Sequence, residues 1–277
     1  MDFIRHYLSP LGGVTLASDR GRKRDDGSVS AGALIINASE KDSPITACKG
    51  SRITGITLDG TNYGTHSAHH VRSFRAENSR GSGYYYSLPL VSTTGITVNG
   101  DGAEIDNCEL AGFGASAVII SGGYKDIHVH HCYIHHNQTN GLGYGVCHGG
   151  NSTSVIEYNL FNYNRHSIAA TGAPVTGYIA RYNIEMGNSV EHCFDIHGGS
   201  DRGDGTNTAG TYCEMYNNTF LNSNEPYWLR GVPEDHQYFY HNICYESYPT
   251  YDESHLKGEN VRIWDNIFGI PGMTLVE

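Results

Sequence analysis

The sequence predicts an all-β fold, a single-stranded parallel β-helix, and three observations carry that prediction. A short phrase recurs at nearly constant spacing, each phrase alternates with period two, and a second short strand follows most phrases after a polar turn. The phrases are EIDNCEL (104–110), IHVHHCYI (127–134), VIEYNLF (155–161), YIARYNIE (178–185), YCEMYNNTF (212–220), YFYHNIC (238–244) and VRIWDNIF (261–268). With Cys108, Cys132, Asn159, Asn183, Asn218, Asn242 and Asn266 as register marks, successive intervals are 24, 27, 24, 35, 24 and 24 residues. A period in this range means one supersecondary unit stacked on copies of itself.

Each phrase is rich in Val, Ile, Tyr and Phe and bounded by Gly, Asn and Ser, which is strand patterning with no helical period. The second strands are AVII (117–120), YGV (144–146), SIAA (167–170), CFDI (193–196) and YWL (227–229). Two or three short strands per coil leave no room for a helix, so neighbouring coils should sit about 4.8 Å apart. At the sharp turns an Asn tolerates the left-handed conformation, and identical amides on successive coils can bond one another. Residues 1–50 are expected to form an N-terminal cap and first coil, 51–268 the repeating coils and 269–277 the C-terminal end of one domain.

Composition agrees. The 277 residues hold 35 Gly and 20 Tyr, and 18 Lys plus Arg stand against 29 Asp plus Glu, for a formal charge of −11. Such an acidic chain argues against nucleic acid, which needs clustered cations; the one basic cluster, Arg20–Arg24, runs straight into Asp25 and Asp26. No apolar run is long enough to span a membrane. The first residues lack an apolar signal core, which fits a domain excised from a longer secreted protein. Seven cysteines without a CxxC pair point to buried free thiols, with a Cys108–Cys132 disulfide as the alternative. Asn37, Asn137, Asn151 and Asn217 begin glycosylation sequons that an Asn-rich chain produces by chance.

The Asn-marked turns and short strands resemble the right-handed, pectate-lyase-like β-helix superfamily over roughly residues 50–268. A narrower resemblance rests on GLGYGV (141–146), NRHSIAATG (164–172), HCFDIHG (192–198) and LRGVP (229–233). These runs are similar to a branch of microbial β-helix proteins that includes the catalytic region of archaeal disaggregatase. That resemblance implies an extracellular enzyme degrading a chondroitin-like, acidic polysaccharide.

The interior of such a coil is packed, so chemistry must lie on outward side chains or loops. Aligning the second strands on Gly122, Gly150, Gly172, Gly198 and Gly231 places Val118, Val146, Ile168, Phe194 and Tyr227 in one inward column. Ile120, His148, Ala170, Ile196 and Leu229 form the other. The alternate columns then face outward and contain Ala169, Asp195 and Trp228, and Thr171, His197 and Arg230. Arg165, His166, Glu191, His192 and Glu225 lie at the turns leading in.

Asp195, His197, His192, His166 and Arg230 are therefore the expected catalytic residues, and Arg165, Trp228, Tyr227, Glu225 and Tyr144 the expected substrate contacts. Arg pairs a uronate carboxylate in two-pronged fashion, aromatic faces stack on sugars, and His or Asp moves protons near neutral pH. Two cleavage modes fit. Hydrolysis would pair Asp195 with a second carboxylate such as Glu191, Glu225, Asp201 or Asp204; a lyase would use a base beside the uronate. The lack of a Lys in the cluster tilts the reading toward hydrolysis. A non-catalytic carbohydrate-binding or surface β-helix is the rival, marked by aromatic platforms on a flat face.

The 35-residue interval adds the loop 198–210 beside this face. Asp201, Asp204 and Asn207 in it could offer oxygens to Ca²⁺, but the spacing is not that of an EF-hand and turn chemistry explains it. No metal or cofactor is expected, and activity should survive chelation. His128, His130, His131, His135 and His136, and likewise His66, His69 and His70, read as exposed strand-and-turn surface. Solenoids also associate side by side, and a trimer would use patches such as Tyr84–Tyr86.

Overall fold

The computed structural model describes residues 7–41, 43–61, 91–139, 141–187, 189, 191–221, 225–245 and 260–269. His66, His69, His70 and the Tyr84–Tyr86 patch lie outside them. The described chain is a parallel β-helix built from two nine-stranded sheets and one seven-stranded sheet. Every strand pair between successive coils is parallel, as between Thr153–Glu157 and Gly177–Arg181 in the first sheet or Leu160–Asn162 and Ile184–Glu185 in the second. The first coil is already in place before residue 50: Thr15–Ala17, Ala33–Ile36 and Ile45–Cys48 each begin one sheet.

The third sheet pairs Val118 with Val146, Val146 with Ile168, Ile168 with Phe194 and Phe194 with Tyr227. This is the register obtained by aligning the glycines. Its inward columns join Ile105, Val129, Ile156, Phe161 and Phe220 in one continuous apolar interior. Each coil leaves its apolar side chains unburied alone and covers them only by stacking, so the core runs the length of the solenoid.

The Asn marks occupy equivalent positions and form a buried ladder. The Asn159 backbone N–H and amide Nδ2 both donate to Asn183 Oδ1, at 3.0 and 3.1 Å, and Asn183, Asn218 and Asn242 repeat the pattern toward Asn218, Asn242 and Asn266. Each Nδ2 also donates to a carbonyl of the preceding coil, as Asn218 Nδ2 does to Ala180 O at 2.9 Å. No amide atom of an interior rung is wasted, which is what permits a column of polar side chains to be buried.

The left-handed residue at these turns, however, is the one before the Asn. Asn107, His131, Tyr158, Tyr182, Asn217, His241 and Asp265 have φ between 50 and 55°. The preceding residue turns the chain so that the Asn can point inward, and the ladder's hydrogen bonds offset the local backbone cost, about 1–2 kcal/mol for a non-glycine residue.

All seven cysteines are free, and Cys108, Cys132, Cys193, Cys213 and Cys244 are buried. Cys108 and Cys132 continue the ladder column at its N-terminal side, where Cys132 N donates to Asn159 Oδ1 at 3.0 Å.

Candidate functional site

Asp195 is the centre of the only large charged cluster built on the third sheet among the described residues. It lies on Phe194–Ile196, and the alternation that sends Phe194 and Ile196 into the core turns its carboxylate outward. Yet it is fully buried. The neighbours that cover it are polar: His197 Nε2 lies 2.8 Å from Oδ2, His192 Nε2 lies 3.4 Å from Oδ1, and Arg230 spans both oxygens through Nε and a terminal nitrogen at 3.2 and 3.3 Å. Placement on the outward column therefore does not make Asp195 solvent-exposed. Alternation tells which side of a strand a residue takes, and here Arg230 from the next coil closes over it.

The charged cluster spans three coils, with Tyr144 from a fourth beneath it. A Cβ at Gly198 would collide with the Arg230 carbonyl, so the chain after Asp195 can pass under Arg230 only as glycine. Rings stack along the axis: Tyr144 on His166 at 5.7 Å, His166 on His192 at 4.0 Å and His192 on Trp228 at 5.3 Å between centroids. Arg165 lies over the Tyr144 ring and pairs with Glu191 at 3.0 Å.

Burial alone would push the Asp195 carboxyl up, but the hydrogen bonds of His192 and His197 and the charge of His192 outweigh it and hold the group well below the ordinary carboxylate range. It is ionised near neutral pH. Burial, then the neighbouring His192, pushes His166 well below the usual imidazole value. His166 Nδ1 lies 2.7 Å from the His192 carbonyl oxygen and so must donate to it. Its Nε2 is buried without a hydrogen-bond partner.

Not every expected residue belongs to this face. Tyr227 is a core residue, 1% exposed, with its hydroxyl bonded to Gln237; it is withdrawn as a substrate contact, as its inward column requires. Tyr144 is largely buried, and burial raises its phenol to about 12. It frames the site from beneath, with its hydroxyl donating to Gly141 O at 3.2 Å. Trp228 and Glu225 are half-buried at the rim.

The loop after Gly198 opens with a single helical turn, Gly199–Arg202. Asp201 accepts from the Gly198 N–H and from Arg230, while Asp204 accepts from Thr206 and from Arg202. Hydrogen bonds from Thr206, then Arg202, hold Asp204 at about 2. These oxygens are committed to the turn, and Asn207 contributes its backbone carbonyl to Val232 N–H at 2.7 Å. Two other groupings put ligand atoms within 4.8 Å of one another: His166, His192 and Asp195, and, on the first sheet, Glu104, Asp106 and His130. In the second, Asp106 is bound in two-pronged fashion by Arg52 at 2.8 Å.

On the histidine-rich coil His128 meets Glu157 at 2.8 Å and His130 meets Glu104 at 3.0 Å, but His135, expected on the exposed surface, is buried. What the sequence reading missed lies close by. A groove of about 310 Å³ on the first sheet is lined by His128, Thr153, Glu157, Arg181 and Tyr212. Beside it runs a row of stacked rings, Tyr158 on Tyr182 at 4.9 Å, Tyr216 on Tyr240 at 4.9 Å and Tyr240 on Trp264 at 4.3 Å. The signal was present, since all five precede the Asn marks by one or two positions.

A second omission is Glu185. It shares the inward column of Phe161 and Phe220, is fully buried, and neither carboxylate oxygen has a hydrogen-bond partner. Burial pushes its carboxyl up to about 8 despite the opposing effect of the nearby Ser167 hydroxyl.

Comparison with protein-family models, with curated proteins and with solved structures found no match to this chain.

Proposed function

We propose that this protein is an extracellular polysaccharide-degrading enzyme that cleaves a uronic-acid-containing, chondroitin-like chain at the face of the third sheet. The observation that carries the reading is the pairing of buried, ionised Asp195 with His197, 2.8 Å away and 28% exposed, beside the guanidinium of Arg230. With Nε2–H donating to Asp195, the Nδ1 of His197 is left as the basic atom of a partly open ring.

This arrangement suits β-elimination better than the hydrolysis favoured by the lack of a Lys in the cluster. Retaining or inverting hydrolysis needs one carboxyl kept protonated as an acid. Asp195 is held ionised, Glu191 is paired with Arg165, Asp201 with Arg230 and Asp204 with Arg202. In elimination, His197 removes the proton beside the uronate carboxylate and that C–H electron pair becomes the new double bond. The β carbon–oxygen bond breaks, and the proton passes to the departing oxygen. Arg230 pairs the uronate, and Trp228 offers a ring face at the rim. Arg230 must then share itself between Asp195 and substrate, which weakens its hold on the ground state.

Incubation with a panel of uronate polysaccharides tests this, reading ultraviolet absorbance of the unsaturated product and reducing ends together. Both signals rising in step support elimination, reducing ends alone restore hydrolysis, and neither, with retained binding, supports a carbohydrate-binding role. The exposed ring row of Tyr158, Tyr182 and Trp264 favours that last reading as a platform for sugar stacking.

A further inference from the structure

We infer that His166, His192 and Asp195 form a site for a divalent first-row transition ion such as Zn²⁺, in competition with the guanidinium of Arg230. One ligand atom from each residue lies within 4.8 Å of the others. All three side chains are at least nine-tenths buried, at 0, 6 and 0% exposure. Their order along the stack explains the grouping: His166 and His192 are neighbours on successive coils with rings 4.0 Å apart, and Asp195 lies three residues beyond His192.

The independent sign of a ligand is the orphaned Nε2 of His166. Its Nδ1 lies 2.7 Å from the His192 carbonyl oxygen and donates to it, and Nε2 is buried with no hydrogen-bond partner. Glu191 Oε2, another acceptor, lies 3.5 Å from it and is held by Arg165 at 3.0 Å. The Arg165 guanidinium answers the Glu191 charge but leaves the His166 lone pair without a donor. Two imidazole nitrogens and one carboxylate oxygen, with Glu191 Oε2 in reach as a fourth, are the donor set of zinc and its neighbours, whereas Ca²⁺ takes oxygens. Three protein ligands leave coordination positions open to solvent or substrate. Because the two rings are stacked, each must tilt out of the stack to aim its nitrogen at one ion.

Arg230 supplies the positive charge when the ion is away. One of its terminal nitrogens lies 3.4 Å from His192 Nε2, and its Nε lies 3.2 Å from Asp195 Oδ1. Its side chain is 25% exposed and can withdraw toward solvent, where Asp201 already holds one terminal nitrogen at 3.3 Å. Ion binding therefore frees Arg230 for an anionic substrate.

The site shares His192 and Asp195 with the proposed catalytic cluster, so the test reads binding without turnover. Chelator-stripped protein is titrated with Co²⁺, followed by its ligand-field absorption, and with Zn²⁺ in competition, followed by the thermal midpoint. One equivalent should bind and raise the midpoint. Arg230→Gln should bind about 10-fold tighter or better, the scale on which groups around metal ligands alter affinity. His192→Gln should abolish binding, and His166→Gln likewise, with circular dichroism checking that each variant is folded. His130→Ala should change nothing.

No binding by either the wild type or Arg230→Gln overturns the inference. So does binding that survives both histidine replacements or disappears with His130→Ala. A chain that cleaves uronates without binding metal refutes this site alone; one that binds metal without cleaving refutes the proposed function alone.

Discussion

Replacing Glu185 by Gln should change how stability depends on pH. The carboxyl is buried between Phe161 and Phe220 and titrates at about 8, against 4.5 when free. Below about pH 4.5 both folded and unfolded chains hold the proton and the group costs nothing through ionisation. As pH rises from there, the unfolded chain releases its proton while the folded chain keeps it, so stability falls until the folded group ionises near pH 8 and the loss levels off. At 1.36 kcal/mol per pH unit over that interval, the loss is about 5 kcal/mol.

The Glu185→Gln side chain is an amide of nearly the same shape with no proton to lose. Its own burial adds an offset that does not vary with pH. The assay is urea denaturation of both proteins at several values between about pH 5 and pH 9, taking the difference in unfolding free energy so that other titrating groups cancel. Glu185→Gln should gain steadily on the wild type by several kcal/mol across the window. A flat difference would refute the reasoning, because it would mean that Glu185 is ionised and partnered in the folded protein.

Asp195→Asn should lower kcat by about 10² or more, the usual loss when the partner of a catalytic acid or base is removed, as read by initial rates on the uronate panel. Because Asp195 is held below the ordinary carboxylate range, it stabilises the fold above about pH 4, and that contribution is lost as pH falls; the Asn variant should therefore show a flatter acid limb in denaturation. Arg230→Ala should weaken substrate binding by roughly 1.5–3 kcal/mol, measured by calorimetry, whereas His128→Ala on the other sheet should leave rates and binding unchanged. Asn218→Ala should cost about 2–4 kcal/mol in urea unfolding, since it strands the Asn183 N–H and amide that bond Asn218 Oδ1 at 3.0 Å, while the Asn242 amide oxygen keeps the Asn218 backbone N–H.

The coil register was legible because it rests on repetition. Aligning five glycines reproduces the pairing of Val146 with Ile168 and of Asp195 with Trp228, and the same arithmetic assigns Tyr227 to the interior, against the binding role that its ring suggested. Glu185 was equally accessible: it stands two residues after its Asn mark, in the column of Leu110, Ile134, Phe161 and Phe220, where a carboxylate is out of place. The burial of Asp195 was not accessible, since its cover comes from Arg230, 35 residues on, and alternation along one strand carries no information about what the next coil lays over it. The left-handed conformation was assigned one residue late for a related reason. Asn suits both the bend and the ladder, and only the geometry shows that the ladder claims it.

The stacking of the site across three coils ties its integrity to the order in which the solenoid opens. Each coil is held by its immediate neighbours, so unravelling from the side of the coil that bears Arg230 removes the guanidinium first and uncovers Asp195 while His166 is still fixed beneath. Amide exchange should then register protection that rises stepwise from Tyr227–Leu229 to Phe194–Ile196 to His166–Ala170. The bottom of the site is its most durable layer, and its lid is the layer most readily exchanged with solvent.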